Sequence, residues 1–204
     1  MDWLRSFGRT SEPEPQETAP GPVERSTPGI AALLEGVAQD RSHAVLDLGP
    51  ATESSLGVYS RFAQRIRFAD LLAGAGSSGV CATALRAVPL QPERPYDLVF
   101  AWDLLDRLFP EERKRLMTRL AELSSADARL HLMTESSGKP TTQPLRFSLV
   151  DVDRMRYEPA GPARPARPEL LPAEVERLLV PFEVVRAFTL KLGLREYVAV
   201  RRGG

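Results

Sequence analysis

From Pro28 onward, stretches with apolar residues three and four apart alternate with short, nearly continuous apolar runs. Ile30, Leu33, Leu34 and Val37 share one helical face, and Thr27-Pro28 ahead of them supplies a cap and a first-turn proline. HAVLDLGP, residues 43–50, is an apolar run halted by Gly49-Pro50, the pattern of a buried parallel strand entering a loop. Leu56, Val58, Tyr59, Phe62 and Ala63 predict a helix over 54–64. RIRFADLL then predicts a strand with Ile66 and Phe68 on one face, stopping at Asp70. Tyr96 to Ala101 is a strongly apolar strand, and Asp103 begins the next element. Pro110-Glu111-Glu112 opens a helix whose acidic first turn suits the helix dipole, with Leu116, Met117, Leu120 and Leu123 as its stripe. ARLHLMTES predicts a strand and LPAEVERLL a helix; FEVVRAFTLKL and LREYVAVRR predict two strands around a turn near Gly193.

Strands that alternate with helices imply an α/β fold: a mostly parallel, doubly wound sheet covered on both faces, here closed by a C-terminal antiparallel strand pair. Ligands of such sheets lie beyond the carboxyl ends of the strands at the switch point, which groups the loops after Leu48, Phe68 and Phe100 around one crevice. Between Ala73 and Pro95 the pattern is weaker: GAGSSG and PLQPERP read as loops around a short helix, VCATALRAV.

Proline changes this picture at two places. Five of the 18 prolines fall within the first 28 residues and five more between Glu158 and Ala173, so neither stretch can be continuous helix or central strand. The first, with little apolar beyond Trp3, Leu4 and Phe7, predicts a disordered tail over 1–28 ahead of one domain over 29–202. The second reads as an exposed connector or as a lid that offers Arg164 and Arg167 to an anionic group. Lys plus Arg equals Asp plus Glu at 27 each, which removes the footprint of a dedicated nucleic-acid binder, although 24 of the cations are arginine. Cys81 is the single cysteine and His43 and His131 are the only histidines; no disulfide, no ordinary zinc site and a reducing cytoplasmic setting follow as expectations. No apolar run is long enough for a signal peptide or a membrane span, so no membrane partner is expected.

The crevice loops carry the candidate chemistry. Asp47 ends the first strand and Gly49 permits a tight turn beneath a ligand. Asp70, 23 residues beyond Asp47, ends the second, where a carboxylate can accept both hydroxyls of a ribose or serve as a cap or turn former. VLDLGPA, RFADLL, YDLVFAWDLLDRL with the helix and strand after it, and the terminal FEVVRAFTLKL and LREYVAV pair together resemble the class I S-adenosylmethionine-dependent methyltransferases, over residues 30 to 200. That resemblance implies a Rossmann-like sheet of seven strands, or six if the third is missing, and S-adenosylmethionine as cofactor. It implies that Asp47, Gly49 and Ala51 form the first motif, whose loop approaches the methionine part of the cofactor, that Asp70 is the ribose acid, and that Ala101, Trp102 and Asp103 line the pocket after the fourth strand.

The chain also departs from the pattern. Of three alternating glycines only Gly49 stands, with Ala51 and Glu53 in the other places; no third-strand acid is found between Ala73 and Pro95, and SSADA replaces the usual Pro-Gly-Gly turn. Methyl transfer is an in-line displacement that needs alignment first and a base only for a tightly held proton. Asp103, Asp106 and His131 are placed for such a role, or are respectively a helix N-cap, a solvated helix residue and a plain strand histidine. Trp102 either walls the methyl-donor pocket or fills the core, and Arg156 and Tyr157 mark either an acceptor element or a surface strand. The expected function is methyl transfer to a small-molecule or protein acceptor; the alternative is a noncatalytic binding or scaffold protein of the same fold. A nicotinamide-dependent oxidoreductase is disfavoured, because no Gly-x-Gly-x-x-Gly turn is present.

Overall fold

Along the chain the computed structural model places β1 (Val23–Ser26), α1 (Pro28–Leu34), β2 (His43–Asp47), α2 (Glu53–Tyr59), β3 (Ala63–Phe68), β4 (Tyr96–Phe100), α3 (Leu104–Arg107), α4 (Pro110–Leu123), β5 (Ser124–Glu135), β6 (Thr141–Thr142), β7 (Leu145–Asp151), β8 (Arg154–Pro159), β9 (Arg164–Pro165), α5 (Pro172–Leu179), β10 (Phe182–Thr189) and β11 (Leu194–Arg201). It describes residues 21–71, 88, 93–136, 141–142, 144–162, 164–165, 169–190 and 193–203.

The main sheet has the order β10-β11-β5-β4-β2-β3. Its four inner and edge strands β5, β4, β2 and β3 are parallel, whereas β11 is antiparallel to both β5 and β10. Among the described residues the sheet therefore has six strands and not seven; the region of the expected third strand and of the VCATALRAV helix falls, but for Val88 and 93–95, outside them. The chain passes from β2 to β3 on one side and returns to β4 on the other, so the switch point lies between β2 and β4. There the register sets Phe68, Asp47 and Phe100 side by side at the carboxyl ends. Pairing continues past them: Leu48 donates to the Phe100 carbonyl at 2.9 Å, Ala69 to the Asp47 carbonyl at 2.8 Å and Ala101 to the His131 carbonyl at 2.8 Å.

Alternation along each strand sends side chains to two separate cores. Leu46, Leu48, Val99, Leu130, Leu132 and Tyr197 pack against α3, α4 and α5 on one face. Val45, Leu98, Phe100, Met133 and Val198 pack against α1, α2 and β7 and β8 on the other, with Ile30, Val58, Tyr59, Phe147, Leu149 and Met155. Local chemistry starts the helices where expected: Thr27 Oγ1 accepts from Ile30 N–H, Pro110 and Pro172 open α4 and α5, and the Glu112 carboxylate accepts from Phe109 N–H at 2.8 Å.

Three sequence expectations change. Residues 1–20 of the expected tail lie outside the described residues, and Val23–Ser26, within its expected bounds, pair antiparallel with β8 in a small sheet of order β1-β8-β7. That strand is held by backbone bonds and keeps three of its four side chains exposed, so no hydrophobic alternation announces it. The long irregular stretch after β5 contains the β7–β8 hairpin, whose Phe147, Leu149 and Met155 cap the second core. The second helix stops at Tyr59, and Ala63 already pairs with His43 in β3. SSADA is an irregular start to β5, with Asp127 at φ 62° and a break in the β4 register. No helix among the described residues is long and apolar enough to cross a membrane.

Candidate functional site

The end of β2 turns its acid inward. Asp47 is buried, and its carboxylate accepts three hydrogen bonds: Oδ1 from Gly49 N–H at 2.8 Å and from Trp102 Nε1 at 2.6 Å, Oδ2 from the Tyr59 hydroxyl at 2.7 Å. All three donors are neutral. Burial therefore dominates and pushes the Asp47 carboxyl up to about 6, with the Asp70 carboxylate adding to the rise and the three donors opposing it. The same burial, with the Asp47 charge beside it, holds the Tyr59 phenol well above its ordinary value.

Trp102 determines the shape of the site. It follows β4 with φ 48°, in the left-handed region that a bulky residue adopts only when its surroundings demand it. Here Met133 N–H donates to its carbonyl at 2.7 Å, extending the β4–β5 ladder past the strand end. Its indole is buried, stacks on Phe147 with centroids 5.6 Å apart and planes 4° from parallel, and meets the His131 ring edge-on at 5.9 Å. It also covers Gly49: a Cβ built there would lie 2.8 Å from Nε1 and 3.1 Å from Asp47 Oδ1. The glycine of the first motif thus makes room for the protein's own indole.

Behind Trp102 lies a second buried polar group. Glu196 is buried and takes bonds from the Thr27 hydroxyl, from Gly29 N–H at 2.8 Å and from His131 Nε2 at 3.3 Å. Burial alone would raise its carboxyl, but His131, Thr27 and Gly29 together outweigh it and hold it below the ordinary value. Thr27 N–H donates to Asp153 O at 2.8 Å, so one residue ties the β7–β8 turn to β11.

The remaining expected residues scatter in depth. Asp70 is half-buried at the end of β3, beside the loop after β2, where Leu71 N–H reaches the Leu48 carbonyl. Ala51 is exposed and Ala101 is buried. Asp103 stands at the N-cap of α3 but makes no side-chain cap; its carboxylate pairs with Arg107 at 2.5 Å, and burial raises its carboxyl. Asp106 is not a solvated helix residue: it accepts from Glu135 N–H at 2.5 Å, and burial pushes its carboxyl up to about 7. Arg156 lies on the outer side of β8, where with Arg146, Ser148, Glu158 and residues 52–54 it lines an open groove of about 450 Å³; Tyr157 faces Phe147 on the inner side. The side chains of Arg164 and Arg167 lie outside the described residues. Among the described residues no group of three His, Cys, Asp or Glu could hold a metal ion.

The structure thus brings Asp47, Gly49 and Trp102 into mutual contact, with Asp70 one strand away, and sends Asp103 to a separate acidic group with Asp106 and Glu135. Sequence reasoning missed Tyr59, Phe147 and the Thr27–Glu196 contact as parts of the site. A tyrosine within an aliphatic helix stripe and a glutamate within the run LREYVAV were the available signals, since a polar group at a core position needs a partner.

Tested against an S-adenosyl group, the two ends of the crevice differ. The end of β3 presents a half-buried carboxylate suited to ribose hydroxyls. At the end of β2 the indole covers Gly49 and both Asp47 oxygens already have donors, so the amino-acid end of such a group fits there only with Trp102 displaced.

No family profile and no curated protein sequence matches the chain. Solved structures do. A Listeria monocytogenes protein assigned to the S-adenosylmethionine dependent methyltransferases aligns at 12% identity and TM-score 0.50, over 84% of this chain and 97% of that one. The Burkholderia thailandensis 1,6-didemethyltoxoflavin-N1-methyltransferase, solved with S-adenosylhomocysteine, aligns at 18% identity and TM-score 0.47, over 86% and 77%. The pyocyanin biosynthetic protein PhzM aligns at 17% identity and TM-score 0.45; the chain covers 54% of its length. With parallel strands meeting at a β2–β4 switch point and an antiparallel strand pair closing the sheet, the chain has the Rossmann-like fold of the class I S-adenosylmethionine-dependent methyltransferases.

Proposed function

We propose that the protein is an S-adenosylmethionine-dependent methyltransferase that acts on a small-molecule or protein acceptor. The observation that carries this reading is the row Phe68–Asp47–Phe100 at the switch point with Asp70 two residues beyond it, which brings a buried and a half-buried carboxylate to the carboxyl ends of neighbouring strands. Asp70 holds the ribose hydroxyls. The loop from Leu48 to Ala51 backs the rest of the cofactor, with Asp47 behind it, and Trp102 forms the opposite wall. When bound, the cofactor supplies an electrophilic methyl group on a sulfonium; the protein's part is to align an acceptor with it and to keep water out. Zero net charge favours a small acceptor or a side chain over bulk nucleic acid.

Calorimetry with S-adenosylmethionine and S-adenosylhomocysteine tests the reading, together with Asp70→Ala. Binding by the native chain that weakens about tenfold in the variant, the loss expected for a bidentate hydrogen-bonded carboxylate, supports it. No binding at millimolar ligand sinks it. Binding that Asp70→Ala leaves unchanged keeps the function and removes the ribose assignment.

A second reading, a noncatalytic scaffold of the same fold, is favoured by the packing of Trp102 over Gly49. It requires that neither the native chain nor a chain relieved of that indole binds the cofactor.

A further inference from the structure

Trp102 is held from four sides. Asp47 Oδ1 accepts its Nε1–H at 2.6 Å, Phe147 lies flat against the ring, His131 abuts it edge-on, and Met133 N–H fixes its carbonyl. Every one of these partners sits on β2, β5 or β7; none comes from the end of β3, where Asp70 stands. The row of strand ends therefore has two parts. Asp70 stands at the end of β3 beside the loop after β2. The part over Gly49 is filled by the indole, and the carboxylate below it has no oxygen without a donor.

We infer that Trp102 is a specificity-determining residue for S-adenosyl ligands: its indole is the resident occupant of the amino-acid end of the site, so that end contributes to binding only after the indole has left Asp47. This rests on the methyltransferase reading above and deepens it. The chemistry supports an exchange of like for like. The indole gives Asp47 one N–H donor; an ammonium group on a ligand would give the same carboxylate a charged donor and would take the same place. Gly49 serves either occupant, because both need the approach that a Cβ would block. What the indole loses on leaving is its stack on Phe147 and its contact with His131. The small sheet that carries Phe147 is itself fastened to the main sheet through Thr27 and Glu196. A site whose competent form is a minor population binds more weakly by that fraction, and the penalty falls only on ligands that need the form.

The test compares 5′-methylthioadenosine, which has the nucleoside and no amino-acid end, with S-adenosylhomocysteine, which has both. In the native chain the two should bind within about threefold of each other, and in Trp102→Ala S-adenosylhomocysteine should become the tighter by about tenfold or more. If S-adenosylhomocysteine is already tenfold tighter in the native chain and Trp102→Ala lowers that ratio, Trp102 is a wall that touches the ligand and the inference fails, while the cofactor reading stands. If neither ligand binds either protein, both fail together. Should Trp102→Ala not fold, Trp3→Phe leaves Trp102 as the one tryptophan of the chain. In that protein any excess affinity of S-adenosylhomocysteine over 5′-methylthioadenosine should come with a red shift of the emission and increased acrylamide quenching, while 5′-methylthioadenosine leaves both unchanged. Saturating S-adenosylhomocysteine that binds more tightly than 5′-methylthioadenosine with unchanged emission overturns the inference.

Discussion

Two buried carboxylates flank Trp102, and they are stabilised in opposite ways. Asp47, at the end of β2, is surrounded by an indole N–H, a phenol and a backbone N–H, all neutral, and burial drives its carboxyl up. Glu196, on β11, faces an imidazole, a hydroxyl and a backbone N–H, and its carboxyl is held down. Both make three bonds. The difference lies in the partner that can carry charge, and in what each acid joins. Asp47 links residues around the crevice. Glu196 joins the N-terminal segment and the small sheet to the main sheet, which makes it a fastening for the fold.

The largest effect should come from breaking that fastening. Glu196→Ala leaves His131, the Thr27 hydroxyl and Gly29 N–H without their partner inside the core and should cost about 3–5 kcal/mol in urea unfolding. Asp47→Asn keeps an acceptor for Trp102 and Gly49 and can donate to the Tyr59 oxygen, so at pH 8 it should cost much less. Equal losses would end the distinction between the two acids.

The pH dependence comes next. An acid whose folded value is raised binds its proton more readily when folded, so stability is present below the folded value and declines as pH rises from the unfolded one. For Asp47 that window runs from the ordinary 3.8 to about 6, and for Asp106 from 3.8 to about 7. Glu196, held down, acts the other way and loses its contribution below the ordinary 4.5. The melting temperature should therefore be higher at pH 5 than at pH 8, with Asp47 responsible for about 1–2 kcal/mol of the change. Asp47→Asn should flatten the profile; a profile unchanged by that substitution would show that Asp47 does not titrate in this range.

Tyr59→Phe gives the finest test. It removes the one donor to Asp47 Oδ2 and should cost about 1–3 kcal/mol at pH 8 and less at pH 5, where the acid is largely protonated. An equal cost at both pH values would mean that the tyrosine contributes through packing against Phe100 and Phe62 alone.

Much of the fold is legible along the chain because its central strands are buried on both faces and its longer helices carry apolar stripes. HAVLD, YDLVF and the stripe from Leu116 to Leu123 each announce their element locally. Val23–Ser26 does not, since an edge strand with exposed side chains is held by its partner's backbone. At the site, Asp47, Gly49, Asp70 and Trp102 are all recognisable as strand-end residues, yet nothing in their spacing tells whether Trp102 lines a space or fills it. That depends on Phe147, 45 positions away, and on the β4–β5 ladder that fixes the Trp102 backbone.

The amino-acid order alone thus determines the alternation of strand and helix, the switch point and the acids brought to it, because each follows from periodicity and from where an apolar run stops. Tertiary structure alone decided that Asp47 is sealed, that Glu196 is paired, and that the place above Gly49 is taken by an indole. Those outcomes depend on side chains far apart in the chain competing for the same buried donors and the same volume, and only packing determines which of them prevail.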